Sequence, residues 1–404
     1  MTTQHHPEFV LSRRHLLNAG VAAMATTVLA PQIVRGADAN SRITLGMIGC
    51  GGRGHWISDF FRNHGGFQFV ACADYFPDKA ASFAKKCEID ASRVYTGLSG
   101  YKRLLESKLD AVVVESPPYF HPEHAAAGVE AGKHVYVAKP IAVDVPGCNT
   151  IGDAGKKATE KKLAFLVDFQ TRANPIYREA VKRVHNGDIG KIVSGEAVYY
   201  CDSTWGNGSF DHSNAELRLR NWGIDKLLSG DIITEQNIHA LDVASWLIDE
   251  APVSAIGYCG RKARTGNGDV NDHFAVIYNF PEVVLSFTSK QYGAGWDDIG
   301  VRVFGSRGTA DTHYFGSVSI KGQTPYAGGS VGNLFSDGVA LNVAEFHTNI
   351  TTGQFANPTA VQGVRSNLTT ILGRTAAYKK SLVTWDEMMK TAEKLEFDTK
   401  ALKA

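Results

Sequence analysis

Arg42-Ile43-Thr44-Leu45-Gly46-Met47-Ile48 runs without a break into Gly49-Cys50-Gly51-Gly52-Arg53-Gly54, and the reading of this stretch decides the fold. The apolar run has the length and pattern of a buried strand. The glycines that follow match G-x-G-x-x-G in register, and Trp56, Ile57, Phe60 and Phe61 then recur at helical spacing. Each glycine has its own task. Gly49 permits the tight turn, Gly51 lets the backbone approach a pyrophosphate, and Gly54 lets the helix pack close to the strand. The free N–H groups of the helix start, Gly52 and Arg53 among them, and the positive end of its dipole attract the phosphates.

Working outward, the second apolar run, Phe67 to Ala73, ends in Asp74, twenty residues after Gly54. An acid there accepts hydrogen bonds from both hydroxyls of an adenosine ribose and repels a 2′-phosphate. The following Tyr75-Phe76-Pro77 offers no arginine for such a phosphate, so the cofactor expected is NAD. Ala111 to Val114 reads as a buried parallel strand with Glu115-Ser116-Pro117-Pro118 at its carboxyl end, where open α/β sheets bind ligands. Ser116, Pro117 and His121 are expected to border the cofactor. As isolated histidines, His121 and His124 read as packing residues, and no metal site is expected. The strand His134 to Val137 delivers Lys139-Pro140 to the same sheet edge.

At this point the chain resembles a known family. The glycine loop, the S-P-P-x-x-H segment, the G-K-H-V strand and the K-P pair together are similar to the glucose–fructose oxidoreductase, inositol dehydrogenase and rhizopine-catabolism (Gfo/Idh/MocA) family, from about Arg42 onward. The resemblance implies an N-terminal Rossmann domain and a second α/β domain with a large, mostly antiparallel open sheet. The family carries E-K-P where this chain has Ala138-Lys139-Pro140, and its lysine contacts substrate beside the nicotinamide. It also carries an Asp-x-x-x-His motif on a helix, matched here by Glu235 and His239 within Gly230 to His239. Read as one helix, Glu235, His239 and Asp242 fall at i, i+4 and i+7, on a single stripe. Gln170, Arg172, Asn174 and Tyr177 resemble the family's F-x-R-x-x-P-x-Y-R stretch, which implies that Gln170 borders the nicotinamide and that Arg172 and Tyr177 meet substrate.

The chemistry asks for these residue types. Oxidising a carbinol requires removal of the hydroxyl proton, and His239 titrates in the right range; Lys139 can stabilise the developing alkoxide, while Glu235 orients the imidazole or a sugar hydroxyl. Trp205, Arg220 and Trp222 offer aromatic faces and a cation that suit a sugar ring. His313, Tyr314 and Arg365 are weaker candidates.

The remainder of the chain sets bounds. With 404 residues, 44% hydrophobic, 21% charged and a net charge of +1, it has the composition of a two-domain soluble enzyme without a field for nucleic acid. The six cysteines are scattered singly, which argues against structural zinc and a disulfide framework. Ser12-Arg13-Arg14-His15-Leu16-Leu17 before an apolar, small-residue stretch has the layout of a twin-arginine export signal, too short for a permanent span, and implies the export machinery as a partner and a periplasmic location. The organisation expected is a signal over 1–39, an NAD-binding domain over 40–165 and a substrate-binding and oligomerisation domain over 166–404. A helix is expected over 175–186. Strands are expected at Ile192 to Cys201, Val253 to Arg261, Phe274 to Phe280, Val283 to Tyr292 and Ile299 to Gly305, a hairpin at Pro281-Glu282, and a long loop over Tyr326 to Gly338. The open sheet suggests a homo-oligomer, a dimer or tetramer.

Outside the cytoplasm no NAD pool exists to exchange with, so the cofactor should be held tightly and recycled within each cycle. Three functions fit. The first is an oxidoreductase acting on CH–OH groups of a sugar, polyol or glycoside. The second is an NAD-dependent glycosidase or lyase working by transient oxidation and elimination. The third is a non-catalytic exported sugar-binding protein.

Overall fold

The computed structural model describes residues 42–202, 208–266 and 268–404. The export segment expected over 1–39 and Trp205 lie outside the described residues. Two sheets organise the rest. The first is parallel throughout: β1 (Ile43–Ile48), β2 (Phe67–Asp74), β3 (Val94–Thr96), β4 (Ala111–Val114), β5 (His134–Ala138) and β6 (Phe165–Asp168), in the order β3-β2-β1-β4-β5-β6. The order reverses at β1, and that switch point opens a crevice at the carboxyl ends of the strands. Strands β4 and β6 are buried at every position, as a sheet covered on both faces requires.

The helix Gly52–His64 buries Ile57 and Phe61, four residues apart, against one face. Phe61 meets Phe67, Phe69 and Tyr136 edge to face at 5.0, 5.9 and 5.2 Å. Full burial of such a ring stabilises by about 1.5–3 kcal/mol. Gly65, in the left-handed conformation at φ 81°, ends the helix.

The second sheet has nine strands. They are β7 (Ile192–Cys201), β8 (Ser254–Gly260), β9 (His273–Asn279), β10 (Val284–Gln291), β11 (Asp298–Gly305), β12 (Gly308–His313), β13 (Ser317–Gly322), β14 (Tyr326–Ser330) and β15 (Val383–Thr384), in the order β14-β13-β12-β11-β7-β10-β9-β8-β15. All pairings are antiparallel except β7 with β10. The five expected strands and the Pro281-Glu282 hairpin, closed by Phe280 N–H to Val283 O at 2.8 Å, are present. The helix Pro175–His185 stands where one was expected.

The expected loop over Tyr326 to Gly338 is instead a strand followed by the start of the helix Leu334–Thr352. Its glycines hid the strand. Gly328 (φ 54°) and Gly329 (φ 135°) are not strand formers, but they sit at a register shift on the sheet's edge. The last seventy residues also return to the first sheet. Val339, Val343 and Phe346 of Leu334–Thr352 share a core with Phe61 and Tyr136, and the helix Pro358–Lys379 packs between β6 and β8.

Candidate active site

Two cavities meet above the parallel sheet. The first, about 640 Å³ to its open mouth, is lined by Gly49, Gly51, Asp74, Phe76, Leu98, Tyr101, Ser116, Pro117, Leu219 and Trp222, among others. Backbone geometry explains the glycines. At Gly49 (φ 97°) a Cβ would lie 2.4 Å from Ser116 N, and at Gly54 it would lie 2.2 Å from Gly49 O, so neither tolerates a side chain. At Gly51 a Cβ would enter open space within the cavity, with only Lys79 Nζ within 4.0 Å. The first turn of Gly52–His64 carries no acid. An anionic diphosphate therefore fits against this turn. Asp74 accepts the Cys50 N–H at 2.7 Å and the Phe76 N–H at 2.8 Å, which fixes the carboxylate at the cavity rim; burial pushes its pKa up, against those two hydrogen bonds. These residues fit NAD.

The second cavity, about 1230 Å³ to its open mouth, is continuous with the first through Glu115, Ser116 and Trp222. It brings together Lys139 from the end of β5, Glu235 and His239 from the second domain, and Gln170. Lys139 Nζ donates to Glu235 O at 2.6 Å and Glu235 Oε1 at 3.2 Å. His239 presents part of its ring to the cleft and packs edge to face on Tyr314 at 5.3 Å. It lies deep in the protein, and that burial, with the cations Lys139 and Arg53 nearby, holds its pKa well below 6.5. The imidazole is neutral and free to accept a proton. Arg53 donates to Asp168 Oδ2 at 2.7 Å, and Asn342 donates to Asp168 Oδ1 at 2.8 Å. Around the cleft, Glu115 Oε1 and Oε2, Gln170 Oε1, Glu235 Oε2 and His239 Nδ1 are buried without a hydrogen-bond partner among the described residues. Such groups are costly unless a ligand satisfies them.

Other expected residues are placed elsewhere. The stretch Gly230 to His239 is not one helix: Asp231–Glu235 ends and Ile238–Ile248 begins anew after Gln236 and Asn237. Asp242, in the same helix as His239, is off the cleft, fully buried and paired with Arg172. Arg172, expected to meet substrate, is 4% exposed; its Nε lies 3.0 Å from each Asp242 oxygen and its Nη2 2.9 Å from Oδ1, so it braces the helix beneath the site. Tyr177 is buried too and borders a small separate void behind His239 and Tyr314. Arg220 pairs with Asp78 at 3.2 Å and lies 3.9 Å over the Phe76 ring, at the adenosine end of the crevice rather than beside Lys139. His121 forms part of the cleft wall, but its Nδ1 and Nε2 sit 2.7 and 2.6 Å from the carbonyls of Pro140 and Ser116. Burial lowers its pKa to about 4, against the pull of those carbonyls. It braces the loops and is not open to a ligand through either nitrogen. His313, held by Asp298 and Asp311, and Arg365, held by Asp249, also stand away from the cleft. Among the described residues no cluster suits a metal ion.

Sequence reasoning passed over Glu115 and Asp168 as site residues, along with Asn342, Tyr199, Phe315 and Phe335. Glu115 and Asp168 lie at the carboxyl ends of β4 and β6, the rule that singled out Lys139 after β5. Phe315 and Phe335 had no such signal.

A dinucleotide turn, a ribose-binding acid and a neutral histidine facing a lysine across a two-domain cleft define a nicotinamide-dependent oxidoreductase. Comparison with known proteins agrees. The family described as "Oxidoreductase family, NAD-binding Rossmann fold" matches residues 43–168. The family described as "GFO/IDH/MocA C-terminal domain" matches residues 177–311. The chain belongs to the Gfo/Idh/MocA family of NAD-binding oxidoreductases. It is similar to inositol 2-dehydrogenase of Serratia proteamaculans (26% identical over 337 residues, 81% of this chain and 91% of the relative). It is similar also to 2,7-anhydro-N-acetylneuraminate hydratase of Escherichia coli (27% over 290 residues, 70% and 72%). The fold is similar to that of levoglucosan dehydrogenase in complex with NADH and levoglucosan (TM-score 0.69, 21% identity, 85% of this chain and 99% of that one).

Proposed function

We propose that this protein oxidises a CH–OH group of a sugar, polyol or glycoside with a tightly held NAD that is recycled within each catalytic cycle. The observation that carries this reading is the meeting of Lys139, Glu235 and His239 in a cleft continuous with the Gly49 to Gly54 turn. Gly51, Gly52, Arg53, Asp74, Ser116, Pro117 and Gln170 hold the dinucleotide. Bound NAD supplies the hydride acceptor. The neutral imidazole of His239 takes the substrate hydroxyl proton, and the Lys139 ammonium donates a hydrogen bond to the oxygen left behind. Glu235, bonded to Lys139, keeps that ammonium directed into the cleft. Trp222, lining both cavities, offers a flat face to a sugar ring. A sugar or polyol as substrate is supported by the activities of the similar proteins.

The paired arginines Arg13-Arg14 and the apolar stretch behind them support export of the folded, NAD-loaded protein through the twin-arginine machinery to the periplasm. That destination gives the captive cofactor its purpose. Exposed Val193, Tyr258, Ile277 and Val284 on strands of the second sheet support a homo-oligomer, with residues 166–404 as the substrate and assembly region.

Similarity to a hydratase, whose overall reaction needs no net redox change, favours transient oxidation with elimination as a second reading. Incubating the holoenzyme with sugars and glycosides in deuterated water distinguishes the two. Paired oxidised and reduced sugars support recycling between substrates; cleavage or hydration with deuterium incorporation supports the second reading. Substrate bound with neither outcome marks a binding protein and overturns both.

A further inference from the structure

Glu115 is not part of the proton transfer just described, yet with Ser116 and Trp222 it lines both cavities. Its carboxyl side chain is 1% exposed, and neither oxygen has a hydrogen-bond partner among the described residues. The nearest cation, Arg53, approaches only to 3.7 Å and is committed to Asp168 at 2.7 Å. One guanidinium thus faces two carboxyl groups. The one bonded by Arg53 and Asn342 is Asp168, and Glu115 is left without a donor. A carboxylate so placed would lack a hydrogen-bond donor and would repel a diphosphate; a carboxylic acid in the same position is a hydrogen-bond donor waiting for an oxygen.

We propose that Glu115 is a further dinucleotide-holding residue, a neutral acid whose O–H donates to an oxygen of NAD lying between its adenosine and its nicotinamide ring. This deepens the NAD-dependent reading and rests on it. The surroundings support the protonated form. The groups facing Glu115 are Arg53 from Gly52–His64, Asp168 from β6, Tyr136 from β5 and Lys139 just after it. Burial dominates, and with the Asp168 charge it outweighs the two cations, pushing the Glu115 pKa up to about 8. Neighbouring His121 and His124 are held neutral by burial, at about 4 and about 3, and add no charge. The folded chain therefore keeps a proton that an ordinary glutamic acid gives up near 4.5, and the donor is lost only as the pH rises through about 8.

The experiment follows loss of NAD from the purified holoenzyme after dilution, counted by native mass spectrometry, for the wild type, E115Q and E115L. The amide of E115Q keeps a donor that does not titrate. E115Q should release NAD within about threefold of the wild type at neutral pH, and E115L about tenfold faster or more, the loss of one good hydrogen bond. Raising the pH from about 7 to about 9 should speed release from the wild type and leave E115Q unchanged. Wild-type release that ignores this rise, E115L that holds NAD as the wild type does, or E115Q that loses it like E115L each overturns the proposal. A wild-type protein that never carries NAD would instead overturn the NAD-dependent reading beneath it.

Discussion

The two ends of the crevice are built from different materials. The adenosine end is walled by Phe76, Leu98, Tyr101, Phe120 and Leu219 around Asp74, and is closed from outside by the C-terminal tail. There Leu98 N–H donates to Lys403 O at 3.0 Å, Lys403 N–H to the Tyr75 hydroxyl at 3.2 Å, and Phe397 shares a core with Phe76 and Phe120. The opposite end is lined by ionisable groups matched in pairs, Lys139 with Glu235 and Arg53 with Asp168. Apolar closure grips without a titrating group of its own. Paired charges give a polar site that costs little to bury and still offers donors and acceptors where charge develops. One end keeps the cofactor while the other spends it.

If that division holds, His239→Ala should lower kcat by about 10²–10⁴-fold while the protein still carries NAD by native mass spectrometry. Loss of NAD together with activity would blur the two ends and sink the assignment. The wild-type rate should also hold at mildly acidic pH. Since burial keeps His239 well below 6.5, protonation that removes the proton acceptor begins only beneath that value. The same lowered pKa works against the fold in acid: the unfolded imidazole binds a proton below about 6.5 and the folded one does not, so stability falls with pH in that range.

Arg172 tests what lies under the reacting end. Arg172→Ala leaves Asp242 fully buried without its bidentate partner, which should destabilise by about 3–5 kcal/mol. Thermal unfolding would register this, and KM of the surviving enzyme should hardly move. A raised KM at unchanged stability would return Arg172 to the substrate.

These contrasts also explain what the sequence could reveal. Gly49, Gly51, Gly54 and Asp74 lie within one strand–turn–helix–strand unit, where backbone conformation and helix dipole operate locally, so spacing alone announces them. The reacting end is assembled from Arg53, Lys139, Asp168, His239 and Phe335, which only tertiary packing brings together. Lys139 and His239 were legible through resemblance to a family. Arg172 was misplaced for the same reason: a stretch match does not say which way a side chain turns, and Asp242, expected beside His239, was the partner that turned it. The break at Gln236–Asn237 went unseen because apolar spacing continues across it from Ile233 to Leu241. Glu115 and Asp168 carried a signal in their position at strand ends, but their meaning depends on sharing one guanidinium.

At the adenosine end, a chain truncated after Ala392 loses Phe397 and the Lys403 hydrogen bonds that seal Tyr75 and Leu98. NAD release should quicken by about tenfold, the worth of one buried side chain's contacts, with the single-turnover rate of protein that still carries NAD unchanged. Slower turnover of the loaded protein would mean that the tail reaches beyond the adenosine end.

The smallest effect belongs to Arg220, which couples the second domain to this same end through Asp78 and the Phe76 ring. Both charged partners are open to solvent, so their attraction is screened, and Arg220→Ala should change stability by no more than about 1 kcal/mol. What the guanidinium adds is cover for Phe76, a wall of the adenosine cavity. The substitution should therefore raise NAD release by about threefold or less, leave KM for the sugar alone, and matter less as salt is added. A change in sugar KM larger than the change in NAD release would move Arg220 to the reacting end and dissolve the distinction between the two halves where both domains meet at the adenosine cavity.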